Sequence, residues 1–159
     1  MRRKGMFEIN EAQLSDIDRV VEMRMEMLYE VGKIAQEGGT EKLRARTRDF
    51  FIKKFQTGEF KVLMAVADGK IVATSGIQFL ERPPIYENID GIEAHIMNVY
   101  TLPEHRGEGI ATALLNNIIT QARDKKAGRI LLHAIGKDQS IYEKLGFKST
   151  QNEMELVLS

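Results

Sequence analysis

Cysteine is missing from all 159 residues, which excludes disulfides, thiolate zinc sites and a cysteine nucleophile together. An excess of one charge is missing too: 23 Lys and Arg balance 23 Asp and Glu, so nothing electrostatic argues for nucleic acid, an anionic membrane or an acidic polymer as partner. Basic residues cluster at Arg2-Arg3-Lys4 and from Lys42 to Lys54, where a solvated terminus and a solvated helix face are the ordinary explanation. No stretch approaches the roughly eighteen apolar residues of a membrane span, and no apolar core follows the basic N-terminus. A cytoplasmic protein is expected, with no membrane partner. Proline is scarce, and two of the three prolines sit in the loop Arg82–Gly91, which therefore cannot continue a sheet.

The chain length suits one domain, residues 1–159, able to bury roughly 70% of the surface its unfolded form exposes and so needing no metal or disulfide staple. Met6 to Asn10 alternates as a short strand would. Ser15-Asp16-Ile17-Asp18 then offers an N-cap, and Ile17, Val20, Val21, Leu28 and Val31 recur near helical spacing, with Met23, Met25 and Met27 widening the apolar surface. Such methionines are more often adaptable core than part of a binding site. After Glu37-Gly38-Gly39, Thr40 can cap a second helix that carries Leu43, Phe50, Phe51 and Phe55 inward until Gly58 ends it. Asp68-Gly69 marks a two-residue hairpin between strands Lys61–Ala67 and Lys70–Leu80. Ile92 to Thr101 reads as a central strand, Gly107 to Lys126 as a long helix closed by Gly128, and Arg129 to Ala134 as a buried strand. A short helix from Asp138 to Leu145 and one or two closing strands in Phe147–Leu158 complete the chain. The fold class is a mixed α/β domain.

The densest signal is Val99-Tyr100-Thr101-Leu102-Pro103-Glu104-His105-Arg106-Gly107-Glu108-Gly109-Ile110-Ala111-Thr112, an apolar strand that runs through a proline-marked turn into a glycine-punctuated helix start. It reads as a pyrophosphate cradle. Gly107 and Gly109 remove side chains where phosphates must approach the backbone, and a helix N-terminus offers unpaired N–H groups and a favourable dipole. Arg106 adds a permanent positive charge at the rim.

Arg106-Gly107-Glu108-Gly109-Ile110-Ala111 resembles the Arg/Gln-x-x-Gly-x-Gly/Ala signature of the GNAT superfamily of N-acetyltransferases. Ile141-Tyr142-Glu143-Lys144-Leu145-Gly146-Phe147 resembles that family's second hallmark, a tyrosine-bearing helix ending in Leu-Gly-Phe. The resemblance extends over nearly the whole chain. It implies a mixed, mostly antiparallel central sheet flanked by about four helices, with acetyl-CoA as acyl donor and an amine as acceptor. By the same resemblance, Val99, Tyr100 and Thr101 contribute backbone groups to the pantetheine arm and thioester, residues 106–112 hold the CoA diphosphate, and Tyr142 protonates the departing thiolate. No metal is expected to take part. Dimerisation through the closing strands is common in the family.

The base is less well marked. His95 lies six residues before Thr101, where the histone-acetylating branch of the family carries a catalytic glutamate, and imidazole suits proton transfer near neutrality. Glu93 shares its strand face at period two and can act through water. Both equally suit plain polar positions on a half-exposed strand. His133 and Asn98 are further candidates that the sequence does not rank. The family's asparagine before the tyrosine helix is absent from Ile135-Gly136-Lys137-Asp138-Gln139-Ser140, where Asp138 or Ser140 can substitute. A dinucleotide-binding fold would need a third glycine where Thr112 stands, and a nucleotide triphosphatase would need Gly-Lys-Ser/Thr. The serious rival is a non-catalytic acyl-CoA-binding sensor of the same fold. The acceptor stays open among polyamines, aminoglycosides, amino acids and protein N-termini, because family acceptor sites are built from variable loops.

Overall fold

Five strands form one sheet in simple chain order in the computed structural model, which describes residues 6–35, 39–134, 139–150 and 152–158. They are β1 (Glu8–Glu11), β2 (Phe60–Ala67), β3 (Lys70–Glu81), β4 (Ile92–Thr101) and β5 (Arg129–Leu132). The first four pair antiparallel and β5 joins β4 in parallel. The helices are α1 (Ile17–Glu30), α2 (Glu41–Thr57), α3 (Ile110–Asp124) and α4 (Ser140–Lys144). This mixed, mostly antiparallel sheet with four helices is the architecture that the resemblance implied. No helix among the described residues is long and apolar enough to cross a membrane.

Register starts at the hairpin. Asp68 and Gly69 take φ of 51° and 74°, the positive pair that lets a two-residue turn follow the twist of its strands. One sheet face then receives α3, whose Ile110, Leu114, Leu115, Ile118 and Ala122 pack on Leu63, Ala73, Ile77, Ala94 and Ile96. The other face receives α1 and α2, with Ile17, Val20, Val21 and Phe51 against Phe60, Val62 and Met64. Met23 and Met27 meet Tyr100 in a smaller cluster, so the methionine run is core first.

Several boundaries differ from the sequence expectation. The long helix begins at Ile110 rather than Gly107, because Gly107 and Gly109 hold φ of 78° and 80° and so stand outside α-helical geometry. It also ends earlier, with Lys126 at φ 59°. Gly128 instead gives room, since a Cβ there would strike the side chain of Asn88. On α2 only Thr47 and Phe51 are buried; Leu43 and Phe50 stay partly exposed because that helix lies over β2 near the sheet edge. β5 stops at Leu132, short of Ala134. No closing strand forms within 147–150 or 152–158: Met154, Leu156, Val157 and Leu158 project into solvent without a face to cover. Asp138, the expected start of the last helix, lies outside the described residues.

Two irregularities in β4 prepare the site. From Met97 to Tyr100 it takes three steps while β3 takes two, from Gly76 to Thr74, so β4 carries an extra residue and the ladder breaks as at a bulge. Pairing with β5 covers only Glu93 to Ile96. Beyond Ile96, no described strand takes up the main-chain groups of β4 on that edge.

Candidate active site

Where β4 outruns β5, a cleft of ≈ 940 Å³ opens between the end of β4, the start of α3, the last turn of α1 and α4. Its walls include Val99, Tyr100, Thr101, Arg106, Gly107, Gly109, Ile110, Ala111 and Thr112, with Tyr142 from α4. Of the strand and cradle residues named from sequence, Glu108 alone does not line it. The Glu108 carboxylate turns to His105, with Oε2 at 3.7 Å from Nδ1.

The cradle is shaped by short-range rules. Pro103 opens a single 3₁₀ turn through His105, His105 N–H bonds Leu102 O, and Leu102 N–H bonds Val72 O at 2.9 Å, which ties the turn to β3. Ala113 N–H makes the first α3 bond, to Gly109 O at 3.1 Å. The amides of Ile110, Ala111 and Thr112 therefore have no intrahelical acceptor, and Gly109 supplies no side-chain cap. A Cβ on Gly107 or Gly109 would meet nothing within 4 Å, so the space before these amides is open. Such a helix start accepts an anion without rearrangement, and its residues fit a diphosphate.

Arg106 is already engaged. Its Nε donates to Thr101 O at 3.0 Å and its Nη2 to Glu30 Oε2 at 2.8 Å, while the guanidinium lies 5.7 Å from the Tyr100 ring centroid. The bond from Arg106 holds the Glu30 carboxyl below its usual range. Burial first, and then the charges of Glu30 and Glu26, push the Tyr100 phenol up. On the facing wall, Tyr142 stacks edge-on to Phe147 with centroids 6.2 Å apart, and burial raises its phenol. Tyr142 therefore keeps its proton at neutral pH.

Glu93 and His95 are brought together but not into this cleft. Ala94 and Ile96 face α3, so Glu93 and His95 occupy the opposite face of β4. The Glu93 carboxylate is 7% exposed, with His95 Nε2 at 3.2 Å, Arg129 Nη2 at 2.8 Å and Arg82 Nε at 3.4 Å. Burial pushes this carboxyl up, but bonds from His95 and Arg129 and the two arginine charges outweigh it, leaving the group below its usual range. Glu93 is thus an orienting anion rather than a ready proton acceptor. His133 lines the cleft at its β5 wall and is 70% exposed, not a core histidine.

Ser140, one of the two residues able to stand in for the family's asparagine, also lines the cleft. Sequence reasoning missed Met27 and Glu30 from α1, Val31 just after it, and Leu132 and Lys144 from the far wall; nothing in the local pattern distinguishes Glu30 from any other polar residue near a helix end.

The chain belongs to the acetyltransferase (GNAT) family, whose model matches residues 23–147. In sequence it is 29% identical over 98 residues to a glucosamine 6-phosphate N-acetyltransferase from Trypanosoma brucei brucei, a match covering 62% of this chain and 65% of that one. The chain thus spans less than two thirds of that relative's length. In structure it resembles a predicted acetyltransferase from Clostridium acetobutylicum solved with acetyl-CoA, with a TM-score of 0.86, 29% identity and 96% of each chain covered. A GCN5-related N-acetyltransferase from Ralstonia eutropha JMP134 shares the fold, with a TM-score of 0.85 at 24% identity, over 96% of this chain and 99% of that one.

Proposed function

We propose that this chain, as a single domain over residues 1–159, transfers the acetyl group of acetyl-CoA directly to a primary amine. The observation that carries the reading is the arrangement of one cleft: open β4 backbone at Val99–Thr101, the uncapped start of α3 beside it, and the protonated Tyr142 phenol on the facing wall. The amides of residues 110–112 bind the diphosphate, with Arg106 and Lys144 at the rim.

The amine attacks the thioester carbonyl, and the oxyanion that forms meets main-chain N–H groups of β4 beyond its pairing with β5. One such donor contributes on the order of 3 kcal/mol to the barrier. Collapse of the tetrahedral intermediate breaks the C–S bond, and the Tyr142 hydroxyl gives its proton to the departing thiolate. The amine must also lose a proton: at a pKa of roughly 10.4 about one molecule in 2,500 is neutral at pH 7. His95 takes that proton through water, oriented by Glu93 on its Nε2 side. An amino sugar phosphate, the acceptor named for the trypanosome relative, joins amino acids, polyamines and aminoglycosides among the acceptors to be tried.

The test is release of free thiol from acetyl-CoA in the presence of each amine. Tyr142→Phe lowers kcat by tenfold or more while calorimetry finds acetyl-CoA affinity nearly unchanged. Full turnover in that variant removes the acid role, and acetyl-CoA binding without thiol release on any amine supports the sensor instead.

A further inference from the structure

We infer that Arg82 and Arg129, mounted on the buried Glu93 carboxylate, receive an anionic group, a carboxylate or phosphate, carried by the amine acceptor. This rests on the transferase reading above and narrows the class of its substrate.

The first observation is a surplus of fixed charge. Arg129 donates through Nε and Nη2 to Glu93 Oε1 at 2.9 and 2.8 Å, and Arg82 donates through Nε to Oε2 at 3.4 Å. One buried carboxylate thus holds two permanent cations and a histidine. A structural ion pair needs one arginine. Within this cluster the second leaves one positive charge in excess, and both arginine side chains are more than half exposed, at 56% and 59%. Arg129 Nη1 and both terminal nitrogens of Arg82 have no hydrogen-bond partner among the described residues. Planar N–H donors facing outward from a shared anchor match the oxygens of a carboxylate or phosphate.

The second observation is that the backbone beneath is pinned. Arg82 N–H bonds Gly91 O at 2.7 Å, and Gly128 N–H bonds Ile92 O at 2.9 Å. Asn88 Nδ2 donates to the same Ile92 carbonyl at 3.0 Å, and Gly91 and Gly128 sit where a Cβ would strike Arg82 O and the Asn88 side chain. The loop between β3 and β4 and the turn before β5 are thereby clamped to the first residue of β4. The two arginines thus start from a fixed backbone and lean on one carboxylate, which limits the entropy lost on gripping an anion.

The third observation is alignment with the cleft. Glu93 pairs with Arg129 and His95 with Leu131 across β4 and β5, so the sheet face runs from the arginines past His95 toward Met97 and His133. Four residues of strand, about 13 Å, separate Glu93 from the point where β5 falls away and the cleft begins. An acceptor anchored by its anion at the arginines passes His95 and carries its amine roughly 10–13 Å from the anion, the long side chains of the arginines making up the rest of the span.

The experiment compares matched acceptors long enough for that span, a tripeptide and a tetrapeptide (about 10 and 13 Å extended), each against its C-terminal amide. The expected result is a kcat/KM at least tenfold higher for the anionic member, residing in KM, and a preference that shrinks by fivefold or more in Arg82→Gln. Arg129→Gln is avoided because it strips Glu93 of its main partner. Independently of turnover, inorganic phosphate titrated into the protein shifts the His95 ring resonances saturably, and in Arg82→Gln it does not. Equal kcat/KM within each pair, or phosphate shifts that persist in Arg82→Gln, overturn the inference. If no amine is acetylated, the transferase reading fails and the phosphate titration alone decides whether the anion site exists.

Discussion

Glu93 is the residue whose surroundings carry the most consequence. Its carboxyl is held below the usual range in the folded protein by His95, Arg129 and Arg82, whereas in the unfolded chain it titrates near 4.3. A depressed folded value means that its stabilisation is complete above the unfolded value and is lost as pH falls through the folded one. Glu93→Gln is therefore expected to lower Tm at pH 7, with the difference from the parent shrinking as pH drops below about 4; thermal unfolding across that range checks it. A constant difference at every pH would mean that the charge is not what matters. His95→Ala tests the neighbouring role: an unchanged acidic limb of the pH–rate profile removes it as the base.

At the level of elements, α3 is the main packing helix, and its start is the proposed anion grip. Leu114 is fully buried against the sheet, so Leu114→Ala costs about 2–5 kcal/mol of stability, measurable by urea unfolding. Gly109 is different, because its φ of 80° faces open space rather than neighbours. Asparagine tolerates that backbone region about as well as aspartate does, so comparing Gly109→Asn with Gly109→Asp isolates charge from strain. Aspartate is expected to weaken CoA binding at least tenfold beyond asparagine in calorimetry.

The same elements show what could be read from the chain. The hairpin, the central strand and the cradle were legible because turn chemistry and glycine spacing are local. Helix ends were less so: a glycine at position 107 or 128 looks like a cap until the backbone shows that one precedes the helix by a turn and the other makes room for Asn88. The closing strands were misread because alternation in Met154-Glu155-Leu156-Val157-Leu158 predicts a strand only if some face receives it. Within the cleft, Glu30 was invisible, since it gains its position from Arg106, 76 residues further along the chain; the cluster of Arg82 and Arg129 on Glu93 was equally hidden, because only the folded sheet brings the three together.

Across the whole molecule, the pair Arg106–Glu30 joins the end of α1 to the cradle over a sequence separation of 76 residues. Both side chains are exposed by more than 40%, so the pair contributes roughly 0–1 kcal/mol to stability. Its weight lies in binding. Glu30 places a carboxylate in the wall of the cleft proposed to take the diphosphate, and it occupies the Arg106 guanidinium that would meet one. Glu30→Gln should leave Tm nearly unchanged while tightening CoA binding several-fold in calorimetry, with the gain fading at high salt as charges are screened. An unaltered affinity would show that Arg106 never turns to the ligand.

The break in pairing beyond Ile96 also divides the labour between backbone and side chains. On one side of the break, the proposed donor contacts are amides, which nearly any residue can supply. On the other, the proposed acceptor contacts are arginines, a histidine and a carboxylate, each replaceable by a single codon change. A scaffold so divided can be re-addressed to a new amine without disturbing its hold on the common donor.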